Sequence, residues 1–321
     1  MRILFHSNQL GVRGTEVALY DYAFYNRELL GNESIIVSDR SSDLSAIDKF
    51  KNEFDVVLYD DFNEVTKLVD DRKIDAVYYQ KSGQWDGKIV PNAKNFVHNV
   101  FQFKQPHGDV YAYISKWLSN KMGGDMPYVP YMVDILRFDH QMDYREHLGI
   151  PKDAIVFGYY GGPQSFSLDF ARNAVVDVAT KNKNIYFIFM NSEVFCDKLD
   201  NVIFLDSTTS IEDKIGLINS CDACIHARNG GESFGLTVAE FSSKNKPVIT
   251  TGVCYGDILC DAAHIELLGE KAILYKGYSD LVEILTNFKD TVDLNKDWNA
   301  YRDYSPSNVM QQFKNVFLDR I

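Results

Sequence analysis

The stretch His226-Ala227-Arg228-Asn229-Gly230-Gly231-Glu232-Ser233-Phe234-Gly235-Leu236-Thr237-Val238-Ala239-Glu240 decides the fold that we expect for this chain. It follows a strand-like apolar run, Ala223 to Ile225, and leads into an apolar segment, Phe234 to Phe241, that predicts a helix. The glycines between them let the backbone approach a ligand closely. A strand, a glycine loop and a helix N-terminus direct free N–H groups at one point, which is typical of a phosphate site.

Two carboxylates bracket this predicted phosphate site. Glu232 lies in the predicted loop and Glu240 is eight residues on, a little over two helical turns, so helical geometry would present them on roughly one face about 12 Å apart. At that distance they cannot share one proton. They are suited instead to hold the two ends of an extended, hydroxyl-rich ligand, and a nucleotide-sugar has that layout.

With Gly-Glu-Ser-Phe-Gly-Leu inside it and Lys246-Pro247-Val248-Ile249 after it, the stretch resembles the Glu-x7-Glu signature of the retaining glycosyltransferases of family 4. The resemblance implies an α/β protein of the GT-B fold, in which two Rossmann-like parallel-sheet domains face each other across a cleft. It implies that Glu232 contacts the donor sugar as a catalytic residue and that Glu240 holds the ribose hydroxyls. The residues between them would bind the donor phosphates: Ser233, Phe234, Gly235, Leu236 and Thr237.

The overall composition is that of an ordinary globular protein. A length of 321 residues fits two domains, and 45% hydrophobic with 24% charged residues is typical of a soluble chain. No segment approaches the eighteen apolar residues that span a bilayer, and the N-terminus becomes polar too early for a signal peptide. We therefore expect a cytoplasmic protein. A net charge of −12 argues against a nucleic-acid or anionic-membrane partner.

Strand-like and helix-like segments alternate along the chain, which predicts parallel sheets with helical crossovers. We place an N-terminal acceptor-side domain at residues 1–130 and a C-terminal donor domain at residues 131–304. The crossing should fall within Gly123 to Asp139, where two prolines exclude a helix. A last helix, 305–321, carries the apolar stripe Val309, Phe313, Val316 and Phe317 and is expected to pack back on the first domain.

The chain begins with a second strand, glycine loop and helix, formed by Arg2 to His6, a loop with Gly11 and Gly14, and a helix from Val17. The two glycines are spaced too openly for a dinucleotide fingerprint, so a nicotinamide site is not expected. The family resemblance implies that this loop lies across the cleft from the donor, with Gly14 and Arg13 as donor-binding residues. The alternative is a plain turn with an exposed arginine.

Polar residues directly after predicted strands are further candidates, because ligands of parallel sheets bind beyond the carboxyl ends of the strands. Lys81 follows the strand Ala76 to Tyr79, and His98 follows Asn95 to Val97. The resemblance implies that His98 is a catalytic residue beside the donor sugar. The alternative is a partly buried histidine bonded to the backbone. Ser115, after the next strand, is expected to cap a helix.

The sequence departs from family 4 after the first strand of the second domain, where the family usually has an arginine and then a lysine for the diphosphate. Gly161-Gly162-Pro163-Gln164 stands there instead. The donor-binding residues of this loop are then Gly161, Gly162 and Gln164, with the glycine N–H groups forming an anion nest. The missing charge is expected from Arg13, Lys81, Arg172 or Arg228. Arg228 is best placed, and its alternative role is to pair with Glu232.

These residues predict a retaining transfer from a UDP- or GDP-sugar to an acceptor hydroxyl, expected to lie on a saccharide. No Asp-x-Asp pair is available to hold a metal ion on the donor, so we expect a metal-independent reaction without a cofactor. Because the two cations are missing, a catalytically silent nucleotide-sugar-binding protein of the same fold is an alternative. A GT-B sugar-nucleotide epimerase or a phosphorylase-like enzyme is another.

The five cysteines all lie in the second half of the chain: Cys196, Cys221, Cys224, Cys254 and Cys260. Cys221 and Cys224 form a CxxC spacing, but no second pair of ligands accompanies it. We therefore expect reduced, buried thiols that act as small hydrophobes, with redox or metal chemistry as the alternative.

Overall fold

The computed structural model describes residues 1–135, 142–253 and 260–319. The chain divides into two compact units, called here unit 1 (Met1–Met132 with Asp303–Ile321) and unit 2 (Val133–Arg302). The predicted crossing, Gly123 to Asp139, ends outside the described residues. Each unit is built around one six-stranded parallel sheet, so the prediction of an α/β protein with two parallel-sheet units is confirmed.

The sheet of unit 1 has the strand order β3-β2-β1-β4-β5-β6. Its strands are β1 (Arg2–Ser7), β2 (Glu33–Asp39), β3 (Asp55–Tyr59), β4 (Ala76–Lys81), β5 (Lys94–Asn99) and β6 (Val110–Tyr113). The helices between them are α1 (Gly14–Glu28), α2 (Ile47–Lys51), α3 (Phe62–Arg72) and α4 (Lys116–Lys121).

Strand β1 lies at the centre of this sheet, since the apolar run Ile3, Leu4 and Phe5 is buried on both faces. Phe5 pairs with Ile36 of β2 on one side and with Tyr78 of β4 on the other. The next strands along the chain continue on the β2 side, and the chain then crosses to the β4 side. The loops after β1 and β4 therefore diverge and open a crevice at the carboxyl edge.

The strands of unit 2 are β7 (Ile155–Tyr160), β8 (Ile185–Met190), β9 (Val202–Leu205), β10 (Ala223–Ile225), β11 (Gly231–Glu232), β12 (Val248–Thr250), β13 (Asp261–Ala262) and β14 (Ala272–Leu274). The main sheet has the order β14-β12-β10-β7-β8-β9, and β11 pairs with β13 in a separate two-stranded sheet. The helices are α5 (Asp169–Lys181), α6 (Ile211–Ser220), α7 (Leu236–Ser243), α8 (Ala263–Leu268), α9 (Tyr278–Thr286) and α10 (Phe288–Thr291), with a 3₁₀ turn at Gly269–Lys271.

The chain ends on unit 1. Helix α11 (Pro306–Phe313) begins with Ser305 as its N-cap and proline in its first turn, and a π-helical turn, Lys314–Leu318, follows it. All four residues of the predicted stripe are buried. The rings of Phe313 and Phe317 both pack on Tyr78 of the first sheet. None of the helices within the described ranges is long and apolar enough to cross a membrane.

Two local features are not evident from the sequence pattern. Ala263 to Ile265 is a short run that fits a strand as well as a buried helix, and it forms the first turn of α8. The pairing of β11 with β13 was not expected, since two-residue strands have no periodic signal. Ser115 does cap a helix as predicted, accepting a hydrogen bond from the N–H of Leu118 at 3.1 Å.

The cysteines follow the prediction only in part. Cys221 and Cys224 are buried free thiols, and burial raises the pKa of Cys221 to about 12. Cys196 is also free. Cys260 is disulfide-bonded, so the prediction of a reduced thiol is wrong there. Its apolar neighbours did not distinguish a bonded thiol from a buried reduced one. Cys254 lies outside the described residues.

Candidate functional site

Two loops of unit 2 meet at the carboxyl ends of β7 and β10, the two central strands of its sheet. The loop 161–168 follows β7, and the loop 226–230 follows β10. The main-chain N–H groups of Ser167 and Leu168 both donate to the carbonyl of Ala227, at 2.9 and 3.1 Å. The strand order reverses between β7 and β10, so these loops form the edge at which ligands enter such sheets.

Further hydrogen bonds fix the glycine loop and the helix after it. The N–H of Asn229 donates to the Ser167 hydroxyl at 3.0 Å. The Thr237 hydroxyl, in the first turn of α7, donates to the carbonyl of Tyr160 at the end of β7, at 2.8 Å. The N-terminus of α7 is therefore held against the end of β7.

Glu232 lies at this edge with its carboxylate held from two sides. Arg228 Nη1 donates to one carboxylate oxygen at 2.9 Å, and His226 Nε2 lies 3.3 Å from the other. Burial raises the pKa of Glu232, but the Arg228 charge and the His226 contact outweigh burial and lower it to about 2. The side chain remains 17% exposed. Glu232 is therefore an anion near neutral pH whose side chain remains partly exposed.

Two histidines lie behind Glu232. His226 Nδ1 lies 2.9 Å from the Thr250 hydroxyl, which orients the ring. The ring of His264 packs on it with centroids 4.9 Å apart. His264 is buried, neither of its ring nitrogens has a hydrogen-bond partner among the described residues, and burial lowers its pKa to about 3. The neutral His264 thus adds packing behind Glu232 without adding charge.

The loop before α7 requires glycine. Gly235, at the N-cap of α7, has φ +87°, and a Cβ there would meet the Glu232 Cβ at 3.2 Å and the His264 Cβ at 3.3 Å. Gly235 offers no side-chain cap. The first amides of α7, including those of Leu236 and Thr237, have no acceptor within the helix. They point past its N-terminus together with the positive end of the helix dipole.

Glu240 is a buried residue of α7, about one turn after the first helical residue, Leu236. The helix begins at Leu236, whereas Glu232 belongs to strand β11. The predicted spacing of two carboxylates along one helix is therefore wrong. The glycine at the N-cap ends the extended segment, and only the second carboxylate is carried by the helix.

The other predicted residues of the donor loop lie at the end of β7. A Cβ on Gly161 would meet the Tyr159 hydroxyl at 2.7 Å, and one on Gly162 would meet the Ser165 hydroxyl at 3.2 Å. Asn191 Nδ2 donates to the Gly161 carbonyl at 2.6 Å. Gln164 is exposed at the tip of this loop. These glycines thus lie on the same sheet edge as Glu232.

Both candidate cations of unit 2 have protein partners. Arg228 pairs with Glu232, which was the alternative that the sequence left open, and its side chain is 43% exposed. Arg172 donates from Nε to the carbonyl of Phe166 at 2.7 Å and lies 3.6 Å from the Glu193 carboxylate. Arg228 is therefore the cation of the described residues that lies directly at the Glu232 carboxylate.

His98, which the family resemblance assigns as a catalytic residue, lies in a fully buried environment of unit 1. The side chain is 0% exposed. Its Nδ1 contacts the Tyr78 hydroxyl at 2.5 Å, and its Nε2 lies 2.9 Å from the carbonyl of Val129. The Phe317 ring packs on it, with centroids 5.5 Å apart. With both ring nitrogens engaged inside unit 1, His98 is the backbone-bonded histidine of the alternative interpretation.

Of the other candidates in unit 1, Lys81 has protein partners, whereas Arg13 and Gly14 are exposed. Lys81 is buried, and its Nζ donates to Asp86 at 2.8 Å and to the carbonyl of Lys88 at 3.3 Å. Burial lowers the pKa of Lys81 in spite of this pairing. Arg13 and Gly14 are exposed at the start of α1. Lys81 thus holds its own loop together, whereas Arg13 remains available at the surface.

The sequence reasoning did not select His226, His264 or Thr250, although all three lie around Glu232. His226 directly follows β10, so the rule applied to Lys81 and His98 would have found it. His264 lies in α8, more than thirty residues after Glu232 in the sequence, and no motif marks its segment. Thr250 ends β12, next to β10 in the sheet, and only the strand order brings it to His226.

The buried histidines predict a pH-dependent stability. Burial lowers the pKa of His6 to about 3, of His98 to about 4 and of His264 to about 3. Unfolding exposes rings that bind protons below pH 6.5. The free energy of unfolding should therefore fall between pH 7.5 and 5.5, by about 1 kcal/mol per histidine. Urea unfolding at the two pH values measures this. A pH-independent stability would contradict the expectation.

No protein-family model and no curated protein matches this chain. Solved structures do match. Anabaena HepE in complex with UDP and glucose has a TM-score of 0.74 at 15% identity, covering 98% of each chain. A glycosyltransferase from Rickettsia africae has a TM-score of 0.74 at 13% identity, covering 99% of this chain and 98% of that one.

A putative UDP-N-acetylglucosamine 2-epimerase from Listeria monocytogenes is also similar, with a TM-score of 0.64 at 11% identity, covering 99% of this chain and 97% of that one. Identities this low establish a shared fold and leave the chemistry of this chain to its own residues. Two six-stranded parallel sheets and these structural matches show that the chain has the GT-B fold of glycosyltransferases.

Proposed function

We propose that this protein is a retaining glycosyltransferase that moves a sugar from a nucleoside-diphosphate sugar to an acceptor hydroxyl. One observation carries the proposal: an ionised, partly exposed Glu232 lies beside an uncapped helix N-terminus at the point where the strand order of unit 2 reverses. That point is where ligands of doubly wound sheets bind. The fold shared with HepE, solved with UDP-glucose, supports the same assignment.

Glu232 is suited to hold the sugar. Its two oxygens each have one protein contact, from Arg228 and from His226. A carboxylate accepts about four hydrogen bonds, so each oxygen retains capacity for a sugar hydroxyl. Because the carboxylate is already fixed and charged, it need not reorganise during the reaction, which is the condition for effective electrostatic stabilisation.

The diphosphate is proposed to lie at the N-terminus of α7. The residues that would hold it are Ser233, Phe234, Gly235, Leu236 and Thr237, with Gly161, Gly162 and Gln164 on the neighbouring loop. Main-chain N–H groups and the helix dipole favour an anion there. Arg228 is near enough to Glu232 to balance its charge and exposed enough to meet a phosphate as well. In this proposal Arg228 neutralises the diphosphate charge, which is the role of the arginine and the lysine in family 4.

The transfer is proposed to proceed with retention, as the Glu-x7-Glu resemblance implies. The bond between the anomeric carbon and the diphosphate oxygen breaks, and the acceptor oxygen bonds to that carbon on the same face. The acceptor's proton passes to the leaving diphosphate oxygen. We propose no metal ion or cofactor, since the helix N-terminus and Arg228 meet the charge that develops on the leaving group.

Turnover tests the proposal. The purified protein is incubated with UDP- and GDP-sugars and a panel of saccharides, with and without EDTA. We expect released nucleotide and a glycosylated product whose anomeric configuration, read by NMR, matches the donor, and we expect EDTA to have no effect. Nucleotide binding without release would favour a silent binding protein. Loss of activity in EDTA would overturn the metal-free part.

One observation favours a second candidate, a sugar-nucleotide epimerase. The similar fold of the Listeria monocytogenes protein is that of a putative UDP-N-acetylglucosamine 2-epimerase. The same incubation separates the two functions, because an epimerase yields a sugar isomer without any acceptor. An isomer in the absence of saccharide would replace the transferase proposal.

The proposed ribose contact predicts the effect of Glu240→Ala. A charged hydrogen bond is worth roughly 1.5 to 3 kcal/mol, so donor-nucleotide affinity should fall by about tenfold to a hundredfold. Isothermal titration with UDP and GDP measures it. Glu240 is buried, so Glu240→Gln, which keeps the side-chain volume, guards against misfolding. Glu266→Ala, at an exposed glutamate of unit 2, is the control. Unchanged nucleotide affinity in both Glu240 variants would remove the ribose assignment.

A further inference from the structure

Two large aromatic side chains are exposed beyond the carboxyl ends of β4 and β5. Trp85 is 53% exposed and Phe101 is 48% exposed. They belong to the loops 82–88 and 100–109, which follow those two strands. Large aromatic residues are usually buried in monomeric proteins, and a group of them on one edge marks a binding surface.

The Trp85 ring is held in place by the second loop. The main-chain N–H of Trp85 donates to Gln105 Oε1 at 2.8 Å. The His107 ring packs edge-on against the indole, with centroids 5.2 Å apart and planes at 79°. His107 is fixed in turn, because its Nδ1 lies 2.6 Å from the carbonyl of Gln105 and the Tyr111 ring packs on it with centroids 5.6 Å apart. The exposed indole is thus presented rigidly to solvent.

Asn99, at the end of β5, ties both loops to the sheet. Its Nδ2 donates to the carbonyl of Phe103 at 2.7 Å, and its Oδ1 accepts from the N–H of Phe101 at 2.8 Å. Gly83, in the other loop, has φ +86° and lies so close that a Cβ there would meet the Asn99 side chain at 2.2 Å. Asn99 therefore fixes the loop of Phe101 directly and packs closely on the loop of Trp85, and such ordering reduces the entropy cost of binding.

The surroundings of Trp85 are those of a sugar-binding surface. Asp86 is exposed next to it, fixed by Lys81 Nζ at 2.8 Å and by the N–H of Lys88 at 3.0 Å. The side chains of Gln84 and Gln105 are exposed on the same two loops. An aromatic face packs on the C–H face of a pyranose ring, while carboxylate and amide groups bond its hydroxyls.

A membrane is the other surface on which exposed aromatic residues insert. Such sites carry clustered Lys and Arg for anionic lipid headgroups. Here the neighbouring Lys81 is buried in its pair with Asp86, and Lys104 pairs with Asp125 at 3.0 Å. The protein carries a net charge of −12. The charge pattern favours a neutral saccharide over a lipid surface.

We propose that Trp85, supported by His107 and flanked by Asp86, is the stacking platform for the saccharide that accepts the sugar. The platform lies beside the crevice between β1 and β4, where the strand order of unit 1 reverses. The assignment to the acceptor rests on the proposed function. The saccharide-binding surface itself rests only on the described geometry of unit 1.

A titration tests the platform without turnover. The ¹⁵N-labelled full chain is titrated with maltotriose, cellotriose and chitotriose, and the indole N–H signals of its three tryptophans are followed. We expect the signal that Trp85→Phe removes to move with at least one saccharide, and Trp85→Ala to weaken binding by about tenfold or more. Leu29→Ala is the control, because Leu29 is the exposed C-cap residue of α1, at the opposite edge of the sheet. Circular dichroism checks that each variant folds.

The possible outcomes distinguish a failure of the platform proposal from a failure of the proposed transferase function. Saccharide binding through Trp85 without any nucleotide release would keep the platform and overturn the proposed function. If transfer occurs, Trp85→Ala should raise the acceptor KM by about tenfold and Trp85→Phe should restore most of it, with the donor KM unchanged. Transfer with an unaltered acceptor KM would overturn the platform. A Trp85 signal that moves with none of the saccharides, or only with phosphatidylglycerol vesicles, would also overturn it.

Discussion

Replacing Glu232 by glutamine should lower kcat for sugar transfer by about a hundredfold to a thousandfold, while nucleotide affinity stays within about threefold. The substitution keeps the shape of the side chain but removes the charge that Arg228 and His226 hold in place. A fixed charge of this kind acts on the reacting sugar more than on the bound nucleotide, so the loss falls on kcat. Initial rates with saturating donor and isothermal titration with the nucleotide measure the two quantities.

Glu266→Gln is the matched control for this experiment. Glu266 is an exposed glutamate of α8 in the same unit, so the substitution makes the same change in charge and shape away from the loop. It should leave both quantities unchanged. A Glu232→Gln enzyme whose kcat lies within threefold of the parent would remove Glu232 from the mechanism. A large loss of nucleotide affinity would instead indicate that the carboxylate organises the phosphate loop.

Much of the site in unit 2 could be predicted because its parts are close in sequence or lie at equivalent strand ends. Glu232, Gly235 and the first turn of α7 fall within one short stretch. The loop after β7 was selected through the family resemblance, and the hydrogen bonds from Ser167 to Ala227 and from Asn229 to Ser167 show that it contacts the loop after β10.

For His98 and Lys81, the local sequence pattern did not reveal the partners that surround the side chain. His98 and Lys81 follow their strands as a ligand-binding residue would. Whether such a residue faces a ligand is decided by what packs over it, and for His98 that is Val129 and the C-terminal Phe317. Lys81 is engaged by Asp86, only five residues on, but the turn that brings them together has no periodic pattern. Position in the sequence therefore predicted that these residues lie at the carboxyl edge of the sheet. It did not predict whether each side chain is accessible to a ligand.

The second large effect is expected from Gly231→Ala, which should lower the free energy of unfolding by about 2 to 5 kcal/mol and abolish nucleotide binding at the loop. Gly231 has φ +61°, and a Cβ there would lie 1.8 Å from the carbonyl oxygen of Asp261. That carbonyl belongs to β13, the partner strand of β11. Backbone cannot move aside as a flexible side chain can, so the strand pair that carries Glu232 must separate.

Gly230→Ala is the control, because the neighbouring glycine has no atom within 4 Å of a built Cβ and its φ is not positive. Urea unfolding measures the stability of the two variants, and isothermal titration with UDP and GDP measures their nucleotide affinity. Gly230→Ala should match the parent protein in both quantities, whereas both should be lower for Gly231→Ala. The expectation fails if the two variants have equal stability. It also fails if Gly231→Ala binds nucleotide normally, since the pairing of β11 with β13 would then be unnecessary for holding the loop that the transfer is proposed to use.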